Sequence, residues 1–193
     1  MTNCMIAGVG GQGTILASKL LAAAAMDAGL NVRTTETIGM AQRGGSVVSH
    51  VRMGKVIHSP LIPLHSAHLL IAFEPAEAVR LTPYLAENGL LIVCDTAIKP
   101  VTAAMGSGYE SSVMTEFLQK SSHKTVILNG HELTSQCGTK ALNIALLGAA
   151  VQSNRLPFDA TLLEKVLRNK IPEKFLEMNL NAFSAGKKMY YES

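Results

Sequence analysis

The chain has 193 residues, 48% of them hydrophobic and 16% charged, and its 17 basic and 14 acidic side chains leave a net charge of +3. So apolar and weakly charged a chain is not disordered, its length suits one domain, and its scattered Lys and Arg lack the basic cluster of a nucleic-acid binder. No apolar run reaches the ~18 residues of a membrane span, Met1–Cys4 lacks the basic start of a signal peptide, and three distant cysteines, Cys4, Cys94 and Cys137, make neither a disulfide framework nor a four-cysteine iron–sulfur or zinc site.

Cys4–Ala7 is a short apolar run ending at Gly8, read as a buried strand. A helix is expected from about Gln12 to Ala28, with Ile15, Leu16, Leu20, Leu21, Ala24 and Ala25 on its apolar side and Ser18, Lys19 and Asp27 opposite; Gly29 is placed to stop it. Asn31–Thr37 is rich in β-branched residues and reads as the second strand. Ser46–Met53 is β-prone, and Gly54-Lys55 reads as a tight turn into a returning strand, Val56–His58, a hairpin that makes the sheet mixed. Pro60 and Pro63 bound a connector to the strand His68–Phe73. Glu74-Pro75 opens a short helix reaching about Leu85, and Asn88-Gly89 reads as a turn into the strand Leu90–Cys94. Between Asp95 and Ser122 the pattern yields only a helix near Val113–Gln119. After the strand Thr125–Leu128 come one long buried helix, Leu133–Gln152, and two more, Asp159–Arg168 and Pro172–Tyr190. The expected fold is a single domain over residues 1–193: a three-layer α/β/α Rossmann-like arrangement with a mostly parallel, mixed sheet and a helical C-terminal tail over 155–193.

Two glycine blocks carry the chemistry. Gly8-Val9-Gly10-Gly11-Gln12-Gly13 matches G-x-G-x-x-G between strand and helix, where glycines let backbone N–H groups approach a phosphate at the helix N-terminus. Glu36, at the end of the second strand, stands roughly 20 residues on, where a ribose-binding acid would sit. Taken alone, the block fits dinucleotide binding, a mere sharp turn, or donors presented to another subunit's ligand. The second block, Glu36 to Gly45, contains Gly39, Met40, Gln42, Arg43, Gly44 and Gly45. An ordinary Rossmann domain does not need it. Adjacent glycines after an arginine can form an anion-binding concavity, and Arg43 can grip phosphate or carboxylate with two donors.

The stretches GVGGQG, ETIGMAQRGGSVVSHVRMG, SPLIP and LLIAFEPAEAVR together resemble the gamma-type component of 2-oxoacid:ferredoxin oxidoreductases, and the GMAQRGGSVVSHVR block is similar to its indolepyruvate branch. Asn143-x-x-x-Leu147-Gly148 and Asn179-x-x-Ala182-Phe183-x-x-Gly186 extend the match over about Met5 to Gly186. The resemblance implies a non-redox small subunit, inactive when isolated. Its partner would be a large alpha subunit carrying thiamine diphosphate and [4Fe-4S] clusters, which together with coenzyme A and ferredoxin would turn a 2-oxoacid into an acyl-CoA. No cofactor would be held by this chain alone. Gly8, Gly10, Gly11, Gln12 and Gly13, with the second block, are then expected to face the partner near thiamine diphosphate or coenzyme A.

His68 departs from the family's Asp and His65 from its Gly; their i, i+3 spacing without a nearby Cys or carboxylate is a weak metal signal. His50, on a strand face with Arg52, reads as a hydrogen-bonding residue, and Cys94 as a core residue. Few charges for a surface of roughly 9,000 Å² point to a face covered by a partner, the same face through which an isolated chain would self-associate. A cytoplasmic setting, with no nucleic acid and no membrane, is expected. The alternatives are a free-standing NAD-binding oxidoreductase, a gamma-type subunit for another 2-oxoacid, and a scaffold whose glycine loops touch no ligand.

Overall fold

The first strand, β1 (Thr2–Val9), is buried over seven of its eight residues and organises the sheet. The structure, a computed structural model, describes residues 1–39, 45–98 and 109–192. β1 pairs antiparallel with β3 (Ser46–Gly54) and parallel with β4 (Ala67–Ala72). β2 (Asn31–Ile38) lies outside β3, while β5 (Leu85–Cys94) and β6 (Lys124–Leu128) extend the parallel half, giving the order β2-β3-β1-β4-β5-β6. The mixed α/β sheet agrees with expectation.

Seven helices cover it among the described residues: α1 (Thr14–Asp27), α2 (Pro75–Leu81), α3 (Ser111–Lys120), α4 (Gly130–Cys137), α5 (Leu142–Gln152), α6 (Ala160–Lys170) and α7 (Glu173–Glu192). One face of the sheet meets α1 and α5, and α6 and α7 pack over them in the same buried cluster. The C-terminal helices therefore complete the main core: Leu163, Val166, Leu167, Ala182, Phe183 and Met189 are all buried in it. The second face is smaller. It is covered by α2, α3 and Ile62 of the β3–β4 connector.

Helix α5 is buried over ten of its eleven residues because it lies between the sheet and α7. Its approach to α7 is backbone to backbone. A Cβ on Gly186 would stand 1.7 Å from the Ala145 carbonyl oxygen, closer than any side chain could be accommodated.

Four readings need correction. The strand expected at Val56–His58 is absent, because both edges of β3 are already taken by β1 and β2. That connector is instead held by side chains: Asn31 Nδ2 donates to Lys55 O, Arg33 Nε to Ile57 O, and Arg52 Nη1 to Ser59 O and Leu61 O. The hairpin that makes the sheet mixed is β2–β3. Asn88-Gly89 is no turn before a strand; it lies within β5, in a bulge where two steps along β4 (Ala67 to Leu69) face five along β5 (Leu85 to Leu90). The long helix over Leu133–Gln152 is broken at Gly138, whose φ of +77° and ψ of 155° end α4; a short 3-10 turn, Thr139–Ala141, then leads into α5. On α1, Ser18 is fully buried while Leu16 is 46% exposed, so the inward face is rotated from the one expected.

His50 behaves as a hydrogen-bonding residue. Its Nδ1 accepts the Ile62 N–H at 3.2 Å, and its ring meets Tyr84 edge-on. Burial pushes its pKa below the ordinary value, since the charged imidazolium is disfavoured away from water.

Two outcomes follow from this packing. Gly186→Ala should cost about 3 kcal/mol, read as a lowered urea midpoint. As pH falls below about 6.5 the unfolded chain binds a proton at His50 before the folded chain does, so stability is fully present above that value and declines beneath it. His50→Gln, which keeps an acceptor and cannot titrate, should flatten that slope in pH-dependent melts.

Candidate functional site

The turn after β1 is closed by the Gln12 N–H donating to Val9 O at 3.2 Å, with Gly11 in the left-handed region at φ +97°. Gly13, at φ +81°, is the N-cap of α1 and offers no capping side chain. These are backbone conformations that side-chain-bearing residues adopt at a cost. Gly13 also abuts Asn143, whose Nδ2 donates to Gly13 O at 3.4 Å; a Cβ there would stand 2.4 Å from that nitrogen.

The side chain of Gln12 is a strap inside the fold. Its Oε1 accepts the Val9 N–H at 2.7 Å and its Nε2 donates to Phe73 O at 2.9 Å. Its amide thus ties the carboxyl end of β1 to that of β4 and is not offered outward. Gly8 accommodates it: a Cβ at Gly8 would lie 2.6 Å from Gln12 Oε1.

The two glycine blocks meet. The Gly10 N–H donates to Gly45 O at 2.9 Å, and the Gly39 N–H to Ser46 O at 2.7 Å. The second block is therefore the β2–β3 hairpin loop, docked by its end onto the turn after β1. Met40, Gln42, Arg43 and Gly44 lie outside the described residues. The loop is also anchored beyond its end: Ser46 Oγ donates to Glu77 Oε2 at 2.7 Å, and Arg80 bonds both groups. With Gly10 and Gln12 paired internally, the N–H groups of Gly11 and Gly13 are the ones in the turn with no partner among the described residues.

Beside the turn lies a cleft of about 470 Å³. Gly10, Gly11 and Gln12 form one wall, Phe73 and the segment after β5 (Thr96, Ile98) a second, and Thr134, Thr139, Lys140, Leu142 and Asn143 a third. It opens beyond the carboxyl ends of β1, β4 and β5. Here the chain leaves β1 through α1 toward β2 and β3, and leaves β4 through α2 toward β5, a switch point of the kind at which open α/β sheets bind ligands. Thr139 and Lys140 reach this wall because the helix breaks at Gly138. Nothing in the chain's periodicity signalled them, nor Thr96 and Thr134. Asn143 was legible only through the family motif.

The dinucleotide reading fails on geometry. β3 stands between β1 and β2, which puts Glu36 two strand spacings, about 10 Å, from β1, on an edge strand. Its Oε1 accepts from Ser18 Oγ at 3.3 Å. Of the histidine pair, His65 stands in the left-handed region at φ +57°, its N–H donating to Pro83 O at 3.0 Å. His68 Nδ1 accepts the Asn3 N–H at 2.9 Å, and burial, then the positive chain terminus and Arg155, lower its pKa. Among the described residues no three His, Cys, Asp or Glu side chains are placed to hold a metal ion, and no helix is long and apolar enough to cross a membrane. Cys4, Cys94 and Cys137 are buried on separate elements, and burial raises all three thiol pKa values. That disfavours the thiolate a cluster requires.

Residues 3–189 match the model of the pyruvate ferredoxin/flavodoxin oxidoreductase family. The chain belongs to that family. A relative named indolepyruvate oxidoreductase subunit IorB, from Archaeoglobus fulgidus, is 40% identical over 187 residues, covering 95% of this chain and 92% of the relative. Its namesake from Pyrococcus horikoshii is 34% identical, covering 96% and 94%. The same fold is seen in the gamma subunit of a keto/oxoacid ferredoxin oxidoreductase from Geobacter sulfurreducens, with a TM-score of 0.74, 22% identity and full coverage of both chains. It recurs within a 2-oxoglutarate:ferredoxin oxidoreductase from Magnetococcus marinus, with a TM-score of 0.74 and 21% identity, covering all of this chain and 31% of that one. In this oxidoreductase family member, Gln12 both straps β1 to β4 and lines the cleft, and the docked hairpin meets it at Gly10.

The strap can be tested on stability. Gln12→Ala should cost about 1–3 kcal/mol, since it leaves the Val9 N–H and Phe73 carbonyl without these partners. Gly10→Ala, whose methyl would meet nothing nearer than 3.8 Å, should stay within about 0.5 kcal/mol. Chemical denaturation of the two variants distinguishes them.

Proposed function

We propose that this chain is the non-redox small subunit of an indolepyruvate-type 2-oxoacid:ferredoxin oxidoreductase, and that its switch-point cleft faces the large subunit's active site. The observation that carries the site is the junction of the two glycine blocks, Gly10 N–H to Gly45 O, at the mouth of that cleft. The family match and the IorB relatives support the activity.

On this reading thiamine diphosphate and iron–sulfur clusters, held by the large subunit, supply decarboxylation and electron transfer to ferredoxin, and coenzyme A takes the acyl group. The isolated chain is inactive. Its own residues do what backbone donors and one ammonium can do. The unpaired N–H of Gly11, the uncapped start of α1 and the Lys140 side chain together suit an anionic group. The Thr139 hydroxyl suits a neutral hydrogen bond and that of Thr134, which donates to His131 O, can accept one, while Phe73, Ile98 and Leu142 give the same ligand an apolar wall. This mixture fits a phosphate-bearing carrier with a long, mostly uncharged arm, so coenzyme A is assigned to the cleft ahead of thiamine diphosphate. Gly8, Gly13 and Gln12 shape the turn. A contact of Gly39, Met40, Gln42, Arg43, Gly44 and Gly45 with the ligand or the partner rests on the sequence motif, Met40, Gln42, Arg43 and Gly44 lying outside the described residues.

Anaerobic affinity purification of the chain from its own cells should bring down a larger subunit with iron–sulfur absorbance and bound thiamine diphosphate. A colourless chain recovered alone would overturn the reading. In the assembled enzyme, Lys140→Ala should raise the KM for coenzyme A about ten-fold, the loss of one charge-assisted hydrogen bond, with kcat for arylpyruvate retained. An unchanged KM would remove Lys140 from the site.

A further inference from the structure

A second concavity adjoins the cleft on the side of the C-terminal helices. It measures about 240 Å³, and its apolar lining comes from Leu16 of α1 together with Ile171, Pro172, Phe175 and Met178 around the α6–α7 junction. Leu16 and Phe175 are 46% and 44% exposed, large apolar side chains left in water on either side of the groove. Lys140 and Lys170 line it, and Lys174 places its ammonium 4.8 Å from the centre of the Phe175 ring. Among the described residues no carboxylate lines the groove; Glu177 borders a neighbouring groove on the far side of Met178. Lys140 lines both this groove and the switch-point cleft.

We propose that this groove is a docking site for a segment of the large subunit, one that inserts a bulky apolar side chain and carries carboxylates beside it. The inference rests on the reading of the chain as a small subunit. Three observations select this occupant. The groove is smaller than the roughly 300–1,000 Å³ of small-molecule sites and suits one anchoring side chain. Its lining holds Lys140 and Lys170 and, among the described residues, no carboxylate, which calls for an acidic partner. It is continuous with the cleft through Lys140, so whatever fills it stands beside the proposed active-site face. A second copy of this chain fits poorly, because a two-fold contact sets the same patch against itself and would bring Lys140, Lys170 and Lys174 onto their own copies. Phe175 fills the role of a central aromatic contact. Asn179, buried at 7% exposure, holds its turn of α7 by donating from Nδ2 to Phe175 O at 2.7 Å.

The test measures the affinity of the full chain for its large subunit, anaerobically and over a range of salt. Phe175→Ser and Lys170→Glu should each weaken association about ten-fold or more, and Lys170→Glu should also reduce its salt dependence. Lys55→Glu, which reverses a charge on the connector after β3, should leave both nearly unchanged. Melting curves confirm that each variant is folded, which the exposure of both side chains favours. If the unmodified chain fails to bind any large subunit, the functional reading itself fails. If it binds and the groove variants bind equally well, or Lys55→Glu weakens binding as much, the groove is not the docking site. Self-association of the isolated chain that Phe175→Ser abolishes, with affinity for the large subunit intact, would likewise overturn the proposal in favour of a second copy.

Discussion

The arrangement of this molecule depends on how the carboxyl end of β1 is held. One side chain, the amide of Gln12, accepts from Val9 and donates to Phe73, and so joins the two parallel strands at the point where their connections diverge. Because both ends of the amide are used, the turn cannot relax without exposing buried backbone groups, each of which costs about 1–3 kcal/mol when left unpaired. Gly8 has no side chain because that amide occupies the space a Cβ would need. The cleft owes its shape to this strap as much as to its lining residues.

The second determinant is the antiparallel strand β3. By inserting between β1 and β2 it moves the Glu36 edge away from the glycine turn and replaces it with the end of a hairpin loop, joined by Gly10 N–H to Gly45 O. A fold with a dinucleotide-like fingerprint is thereby diverted from dinucleotide geometry. The Ser46, Glu77 and Arg80 group ties the start of β3 to α2, so the chain just after the second glycine block is held to the helix on the smaller face of the sheet. The end of that block at Gly45 thus stands against Gly10, which also lines the cleft.

The C-terminal helices connect stability to this surface. Gly186 and Gly148 let α7 and α5 approach at backbone distance. The depth of that contact sets the position of the α6–α7 junction, and with it Ile171, Pro172 and Phe175. On the other side of the groove Leu16 faces outward because Ser18 is drawn inward beneath α1, toward Glu36. The weak charge of the whole chain is thus reflected locally in an apolar groove where, among the described residues, the charged lining is Lys140 and Lys170.

Much of this was readable in the chain. The apolar run of β1, the β-branched Asn31–Thr37 stretch, Pro75 at the start of α2 and the helix beginning near Asp159 are local signals, and each sits where its local physics places it. The first glycine block marked the turn after β1 because backbone conformation restricts residue type position by position, whereas the second was legible only as a loop and strand pairing made it the link of the β2–β3 hairpin. What a chain cannot show is which edges remain free. Val56–His58 has strand composition but finds β3 already paired on both sides, and Asn88-Gly89 has turn composition but lies in the bulge that lets β5 stay in register with β4. Gly138 interrupts an otherwise helical pattern, and only packing decided that the break would bring Thr139 and Lys140 to the cleft. The sequence by itself determined most of the element types, the family and the two glycine blocks, since these rest on local propensity and on motif. The tertiary structure alone decided that Gln12 is a strap, that Glu36 is remote from the turn and that Leu16 is exposed, because these depend on pairing and burial between residues far apart in the chain.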